Sequence, residues 1–207
     1  MIEDTAREYG RLDYLFNNAG IGISGEVRDL ELEDWYRTFD INLRGVVHGV
    51  HAAYPIMVEQ GFGHIFNTAS LAGLGPVPGL APYAATKHAV VGLSTSLRAE
   101  GAGLGVKVSV VCPGVIRTPL IESLEIKNED KLGFDSRDSM IEAMPLKPYP
   151  VEKAARDIIA GVARNKAIIV VTGHAKLLWF LYRICPPLVI ALWRWGANDF
   201  RKKYRNF

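Results

Sequence analysis

Short apolar runs and longer amphipathic segments follow one another along the chain. The short runs consist mostly of valine, isoleucine, leucine and phenylalanine, as in strands that are buried in a sheet. They are residues 12–16, 63–69, 107–112 and 167–171. The longer segments carry apolar residues at helical spacing. They are residues 31–60, 82–100 and 151–165. The pattern predicts buried strands separated by helices.

The C-terminal segment has a different pattern. Residues 177–195 are rich in leucine and aromatic residues, and a basic stretch, residues 201–205, follows them. Arg183 and the Pro186-Pro187 pair interrupt the apolar stretch near its middle, so we expect two short helices rather than one transmembrane helix. Two interpretations stay open: the helices anchor the protein at a membrane surface, or they cover a substrate pocket or a subunit interface.

Composition narrows the function classes. With 207 residues, 49% of them hydrophobic, the chain can bury one substantial core, and a net charge of +2 gives no reason to expect nucleic acid as a partner. Two cysteines, Cys112 and Cys185, fit a reducing compartment better than a disulfide framework. The histidines show no metal-ligand spacing, and the N-terminus shows no secretory signal. We therefore expect a cytoplasmic protein without a metal site.

The chemically most informative residues are a serine, a tyrosine and a lysine. Tyr83 and Lys87 are four positions apart on the helix predicted from residue 82, so their side chains share a face. A neighbouring cation favours the phenolate and lowers the phenol's pKa. Ser70 ends the strand at 63–69, and active-site groups of open parallel sheets lie at the carboxyl ends of strands. Together these groups suit proton exchange with an alcohol or ketone oxygen.

Other motifs surround this group. The sequence Asn-Asn-Ala-Gly at 17–20 forms a small-residue turn after the first predicted strand, where backbone can approach a ligand closely. Asn42 falls on the apolar stripe of the helix predicted over 31–60, where a buried amide must find partners. The strand at 107–112 runs into Pro113-Gly114, and Thr118 follows.

In this order and spacing, the five motifs make the chain resemble the short-chain dehydrogenase/reductase family. The resemblance implies a Rossmann-like, doubly wound parallel sheet in an α/β domain. It also implies an NAD(P)-dependent oxidoreductase, with NAD or NADP as cofactor, that interconverts a small alcohol and a ketone by hydride transfer.

The resemblance also implies roles for particular residues. Tyr83 is the expected general acid/base. Lys87 lowers the pKa of Tyr83 and holds the nicotinamide ribose, and Ser70 orients the substrate oxygen. Asn42 keeps a helix locally open and holds a water for proton relay. The remaining cofactor-binding residues lie in two turns, and they are Asn18, Ala19 and Gly20, and Pro113, Gly114, Val115 and Thr118. For Asn42 and the glycines, packing alone is the competing interpretation.

The N-terminus departs from the family pattern. No Gly-x-x-x-Gly-x-Gly motif precedes Asn17, although such a turn normally receives the cofactor pyrophosphate. Residues 1–10 look like the last turns of a helix capped by Gly10. We therefore expect an N-terminally truncated domain, and the choice between NAD and NADP cannot be read from this sequence. A catalytically inactive protein that acts as an interaction or membrane-associated module is the alternative.

These expectations divide the chain into two parts. Residues 1–173 form the dehydrogenase domain, in which the charged and irregular segment 120–150 is a substrate lid. Residues 174–207 form the apolar and basic helical tail. By analogy with the family, we expect a homo-oligomer that pairs through the helices predicted over 31–60 and 82–100. The substrate is a small alcohol or ketone, and an apolar one is compatible with the tail.

Overall fold

The computed structural model describes residues 1–128, residue 138 and residues 147–204. Strands and helices alternate along this part of the chain. The strands are β1 (Tyr14–Asn17), β2 (Ile23–Ser24), β3 (Gly63–Thr68), β4 (Val106–Pro113), β5 (Glu125–Ile126) and β6 (Ile168–Val171). The helices are α1 (Ile2–Tyr9), α2 (Leu32–Phe39), α3 (Gly45–Gln60), α4 (Ala81–Gly101), α5 (Pro119–Glu122), α6 (Val151–Ala163), α7 (Gly173–Ile184) and α8 (Pro186–Tyr204).

Four strands form the central sheet of the described residues, in the order β1-β3-β4-β6. Every neighbouring pair is parallel, so the carboxyl ends of these strands lie at one edge of the sheet. The remaining two strands, β2 and β5, form a separate parallel pair, which the sequence pattern did not predict because each has only two residues. The predicted strands and the α/β class are confirmed.

Helices pack on both faces of the central sheet but leave part of β1 uncovered, where Tyr14 and Phe16 are 59% and 61% exposed. On one face, Ile65 and Val108 pack with Met57 of α3 and Leu97 of α4. On the other face, a cluster of β4 and β6 residues packs against Ala154 of α6. Alternate residues of the strands face opposite sides of the sheet, which is why these strands are mostly apolar rather than alternating. The doubly wound arrangement expected from the sequence is therefore present.

The helix predicted over residues 31–60 is not one regular helix. Between α2 and α3, residues Asp40–Arg44 form a π-helical turn, in which the Gly45 N–H donates to the Asp40 carbonyl five residues earlier. Asn42 lies in this turn and is fully buried. A π turn accommodates one extra residue and is frequent at functional sites. The apolar stripe continues through the turn, so periodicity alone could not locate it.

A line of buried polar side chains joins the sheet to two helices. The Asn17 amide donates to Asn67 Oδ1 over 2.8 Å, and the Asn67 amide donates to Ser94 Oγ over 2.9 Å. Ser94 in turn donates to the Val90 carbonyl of its own helix, α4. On the α3 side, Asn17 lies directly against Gly49, where a Cβ atom would overlap the Asn17 side chain. A glycine at 49 is therefore required for α3 to pack on β1.

The C-terminal tail forms two helices, as predicted, with Cys185 between α7 and α8. The second helix is longer than expected. No helix in the described part of the chain combines the length and apolar character needed to cross a bilayer. Within the segment expected to be a lid, α5 and β5 are present, whereas residues 129–137 and 139–146 lie outside the described residues. The lid therefore stays a prediction.

The close approach of α3 to β1 can be tested with alanine at two helical glycines. Gly49→Ala should lower the free energy of unfolding by about 1–3 kcal/mol, because the new methyl group must displace the Asn17 side chain from its hydrogen bonds. Gly92→Ala on α4 is the matched control, since no atom lies within 4 Å of a Cβ there. It should raise the free energy of unfolding by about 0.5–1 kcal/mol through helix propensity. Urea unfolding of both variants measures the difference, and equal effects would contradict the packing described.

Candidate active site

The residues singled out in the sequence meet at the carboxyl edge of the sheet. The 18–20 turn follows β1, Ser70 follows β3, and the segment that starts at Gly114 follows β4. Because β1, β3 and β4 are neighbours or next neighbours and parallel, their following loops lie side by side. Helix α4 then runs past this edge and carries Tyr83 and Lys87 in its first two turns.

Ser70, Tyr83 and Lys87 form one connected group. The Ser70 side chain lies beside the Tyr83 phenol and acts to lower its pKa, and Lys87 Nζ lies 5.4 Å from the centroid of the Tyr83 ring. Lys87 Nζ also donates a hydrogen bond of 2.8 Å to the Thr68 carbonyl at the end of β3. Tyr83 is 9% exposed and Lys87 is 3% exposed. The structure therefore brings together the three side chains that the sequence predicted to exchange a proton with an alcohol or ketone oxygen.

Burial controls the protonation of this group. It raises the pKa of Tyr83, and the Ser70 side chain lowers that pKa only in part. Burial also lowers the pKa of Lys87, to about 8. Tyr83 therefore has a raised pKa in this structure, and the lowering of that pKa by Lys87 stays a prediction. A phenolate and an ammonium both lose solvation here, which is why burial raises the pKa of Tyr83 and lowers that of Lys87.

The turn after Ser70 fixes the position of Lys87. Ser70 caps a short 3-10 turn, Leu71–Gly73, by accepting a hydrogen bond from the Ala72 N–H. At its end, Gly73 packs directly on the backbone of α4, and a Cβ atom there would lie 2.5 Å from the Lys87 carbonyl oxygen. A side chain at 73 would therefore separate Ser70 from α4.

Asn42 links the π turn to the loop after β1. Its Oδ1 accepts from the Ile21 N–H over 2.8 Å, and its amide donates to the Ile21 carbonyl over 2.9 Å. Gly20 lies between Asn42 and Lys87, since a Cβ atom at 20 would be 3.1 Å from Asn42 Oδ1 and 3.6 Å from Lys87 Nζ. Within the same turn, Asn18 Oδ1 accepts from the Thr68 hydroxyl, and Ala19 is exposed. Asn42 and Gly20 thus border the lysine.

Backbone hydrogen bonds to β6 and to Tyr149 hold the segment from Pro113 to Thr118 in place. The Gly114 N–H donates to the Val171 carbonyl, and the Val115 carbonyl accepts from the Tyr149 N–H. Thr118 begins α5 and shows a long contact of 3.5 Å to the Ile116 carbonyl. The segment therefore has a fixed path beside the end of β6.

Two residues behind Gly114 were missed in the sequence. A Cβ atom at Gly114 would overlap both Thr172 and His174. Thr172 Oγ1 and His174 Nε2 are 3.1 Å apart, and the Val115 N–H donates to His174 Nε2 over 3.4 Å. Burial lowers the pKa of His174, which favours the neutral imidazole that this acceptor role requires. His174 stands alone in the sequence, 59 positions from Val115, so no local pattern could have revealed the contact.

The floor of the site contains a buried thiol. Cys112 lies on β4, with the Ser70 backbone near its sulfur. Burial raises the pKa of this thiol to about 12, so Cys112 stays protonated at neutral pH and is a poor nucleophile. Among the described residues, no three histidine, cysteine or acidic side chains lie close enough to hold a metal ion.

Comparisons with known proteins agree on one family. A family model described as short chain dehydrogenase matches residues 1–129. "Probable oxidoreductase EphD" of Mycobacterium tuberculosis is 35% identical over 188 residues, which cover 89% of this chain and 32% of that protein. "3-oxoacyl-[acyl-carrier-protein] reductase FabG" of Thermotoga maritima is 32% identical over 174 residues, which cover 84% of this chain and 67% of that protein.

A solved structure is similar over most of the chain. It is a short chain dehydrogenase/reductase from Burkholderia phymatum in complex with NAD, with a TM-score of 0.75 and 28% identity. The match covers 90% of this chain and 70% of that one. The chain thus spans about a third of the M. tuberculosis protein and two thirds of the T. maritima reductase.

The buried ammonium predicts a stability change at alkaline pH. Lys87 has a pKa of about 8 in the folded state and 10.5 as its reference value. Between these values the unfolded chain binds more protons, so stability rises with pH. From pH 7.5 to pH 9.5, the free energy of unfolding should rise by about 2 kcal/mol from this group alone. The raised pKa of Cys112 opposes this rise from about its reference value of 9.0, and the raised pKa of Tyr83 does so above pH 10. The measurement therefore stops below pH 10, and the contribution of Lys87 is read from the difference between variants.

Urea unfolding of two methionine variants at both pH values isolates the effect. Lys87→Met should lose the rise, because it removes the titrating group. Lys153→Met, at an exposed position of α6, should keep it. A rise that persists unchanged in Lys87→Met would show that the buried ammonium is not its source.

Proposed function

The chain belongs to the short-chain dehydrogenase/reductase family, and from that premise we propose that it is an NAD(P)-dependent oxidoreductase that interconverts an alcohol and a ketone. The observation that supports this most strongly is the buried Ser70–Tyr83–Lys87 group at the carboxyl edge of the sheet. A phenol, a hydroxyl and an ammonium in contact there can bind and protonate a carbonyl oxygen.

The residues present fit the nicotinamide half of such a cofactor. Within the described part of the chain, Lys87 Nζ donates one hydrogen bond, to Thr68, whereas an ammonium carries three donors. A buried ammonium with donors to spare suits ribose hydroxyls. We assign Lys87 and Tyr83 to the ribose of the nicotinamide. The turn at 18–20 would lie beside the cofactor. The segment Pro113–Thr118, which includes Gly114 and Val115, would contact the nicotinamide ring. The sequence before Asn17 contains a single glycine, Gly10.

The protein's own part in the reaction is proton transfer and positioning. When bound, the nicotinamide donates or accepts the hydride. Tyr83 keeps its proton at neutral pH because burial raises its pKa, so it can donate that proton to a carbonyl oxygen during reduction. Ser70 donates a hydrogen bond to the same oxygen. When the proton leaves Tyr83, the nearby Lys87 ammonium stabilises the phenolate that remains.

Asn42 acts in this proposal as a positioning residue with a second role in proton relay. Its amide fixes the Ile21 backbone and thereby holds Gly20 beside Lys87. The π turn at Asp40–Arg44 leaves the helix locally open at this point. We propose that this opening holds a water through which Lys87 exchanges protons with solvent.

The substrate class follows from the proton donor and from the surroundings of Ser70. This group can protonate a carbonyl oxygen while a bound nicotinamide would supply the hydride to the carbonyl carbon. The T. maritima relative is named for the reduction of a 3-oxoacyl group. Beside the turn after Ser70 is a small crevice of about 10 Å³ between Leu71 and the tail residues Leu178, Trp179 and Trp193. The crevice has room for about one water molecule and is too small to hold a substrate. Its apolar lining supports only the apolar character that we propose for the substituent of a small alcohol or ketone.

Two partner predictions remain. Pairing of two copies through the α2–α3 segment and α4 is proposed by analogy with the family. The other is contact of the tail with a membrane, which depends on the exposed surfaces of α7 and α8. The charge balance still gives no reason to propose nucleic acid.

The assignment of Tyr83 is tested by Tyr83→Phe. We expect turnover of ketones with NADH or NADPH to fall by about 100-fold or more, because the proton donor is lost. Saturable binding of the reduced cofactor, followed by tryptophan fluorescence, should remain. Tyr36→Phe, at an exposed position of α2, is the control and should leave turnover unchanged.

Two results would contradict this function. Substantial residual turnover in Tyr83→Phe would remove the general acid from the mechanism. A folded wild-type chain that neither binds NADH or NADPH nor reduces any ketone would favour the alternative class, an inactive interaction module on the same fold.

A further inference from the structure

Helix α7 has apolar residues on two opposite sides. Its inner side contains Ala175, which is fully buried, and Trp179, which packs against the core cluster around Val90. Its outer side carries Leu177, Phe180 and Ile184, which are 58% to 67% exposed. Their spacing of three and four positions places these three on one face of the helix. Among the described residues, α7 packs on the core through its inner side, and its outer apolar face is left exposed.

Helix α8 repeats this arrangement. Val189 is buried, and Trp193 lines the crevice beside the turn after Ser70. Leu188, Leu192 and Trp195 are 48% to 72% exposed and lie four and three positions apart, on one face. Scattered exposed apolar residues are ordinary on protein surfaces, whereas two exposed stripes on consecutive helices mark an interaction surface.

The charge of the same segment is strongly one-sided. Residues 173–207 contain seven of the chain's 24 lysine and arginine residues but only one of its 22 acidic residues, Asp199. Lys176 and Arg183 lie to one side of the exposed apolar face of α7, and both are exposed. On α8, Arg194 and Lys202 are exposed as well. The rest of the chain has more acidic than basic residues, so the basic charge belongs to the tail.

These features match a helix that lies in a membrane interface. Such helices combine an apolar face containing aromatic residues with flanking lysine and arginine, and they lie along the surface rather than crossing it. Phe180 and Trp195 supply the aromatic residues on the exposed faces. No described helix could span a bilayer, so the surface mode is the one that fits.

We propose that the outer faces of α7 and α8 form a docking surface for membranes that contain anionic lipids. The charge complementarity favours this occupant over a second copy of the chain, because two copies paired through this surface would bring like charges together. The inner faces of the same helices pack beside the turn after Ser70, since the Tyr182 ring lies 3.7 Å from the Cβ position of Gly75. Docking would therefore hold the candidate active site about one helix diameter, roughly 10 Å, from the lipid.

Vesicle flotation with the full chain tests the proposal without relying on catalysis. The two probes are phosphatidylcholine vesicles and phosphatidylcholine vesicles with about 30 mol % phosphatidylglycerol, both near physiological salt. We expect binding to the anionic vesicles at least about tenfold stronger than to the neutral ones, and weaker binding at high salt. Absence of binding to either vesicle by the folded chain would overturn the proposal. Equal binding to both would overturn the role of the basic residues.

Matched variants locate the surface. Phe180→Ser combined with Trp195→Ser should reduce vesicle binding at least about tenfold, because two interfacial aromatic side chains are lost. Leu32→Ser combined with Ile159→Ser removes apolar residues of similar exposure on α2 and α6 and should leave binding unchanged. Circular dichroism and urea unfolding establish that each variant folds. An equal loss in both pairs would overturn the assignment to α7 and α8.

A charge pair and a measurement of mass complete the test. Arg183→Gln with Arg194→Gln should weaken binding to the anionic vesicles and leave the weak binding to neutral vesicles unaltered. Light scattering of the wild type and of the Phe180→Ser, Trp195→Ser variant reports the oligomeric state. If Phe180→Ser with Trp195→Ser dissociates an oligomer and the wild type does not bind vesicles, the outer faces of α7 and α8 form a contact between copies of the chain. The membrane proposal is then wrong.

Discussion

The site depends on one costly arrangement, the burial of the Lys87 ammonium at the carboxyl edge of the sheet. Lys87 is 3% exposed, and within the described residues its Nζ has one hydrogen-bond acceptor, the Thr68 carbonyl. The lowering of its pKa to about 8 records what this burial costs the charged form. A fold that tolerates such a group gains a cation held beside a phenol at the edge of the sheet. A ligand with hydroxyl groups can accept its remaining hydrogen bonds.

Much of the surrounding structure keeps that cation in place. Gly73 lets the turn after Ser70 approach the Lys87 backbone more closely than any side chain would allow, and Gly20 places the loop after β1 against Asn42 and Lys87. The π turn at Asn42 directs an amide at the Ile21 backbone and so fixes the loop after β1. Deeper in the protein, the line from Asn17 to Ser94 joins β1, β3 and α4. Polar contacts thus position the site residues at the edge of the sheet, and the apolar layers between the sheet and the helices stabilise the fold.

The sequence predicted the parts of the site that depend on local spacing. Tyr83 and Lys87 share a helix face because they are four residues apart, and Ser70 lies at the edge of the sheet because it follows a buried strand. Contacts between distant parts of the chain could not be predicted in this way. His174 lies behind Gly114 only because α7 begins beside the end of β4. The π turn at Asn42 and the raised pKa of Tyr83 likewise follow from tertiary packing and burial.

The central claim is that Lys87 and its neighbours form a nicotinamide site. It is tested most directly by titrating the chain with NADH and with NADPH while the melting temperature is recorded, because a ligand that binds the native state raises its stability. The account predicts a saturable rise with at least one of the two in the wild type, and loss of that rise in a folded Lys87→Met variant. A folded wild-type chain whose melting temperature does not respond to either cofactor, or a variant that responds as the wild type does, would contradict it.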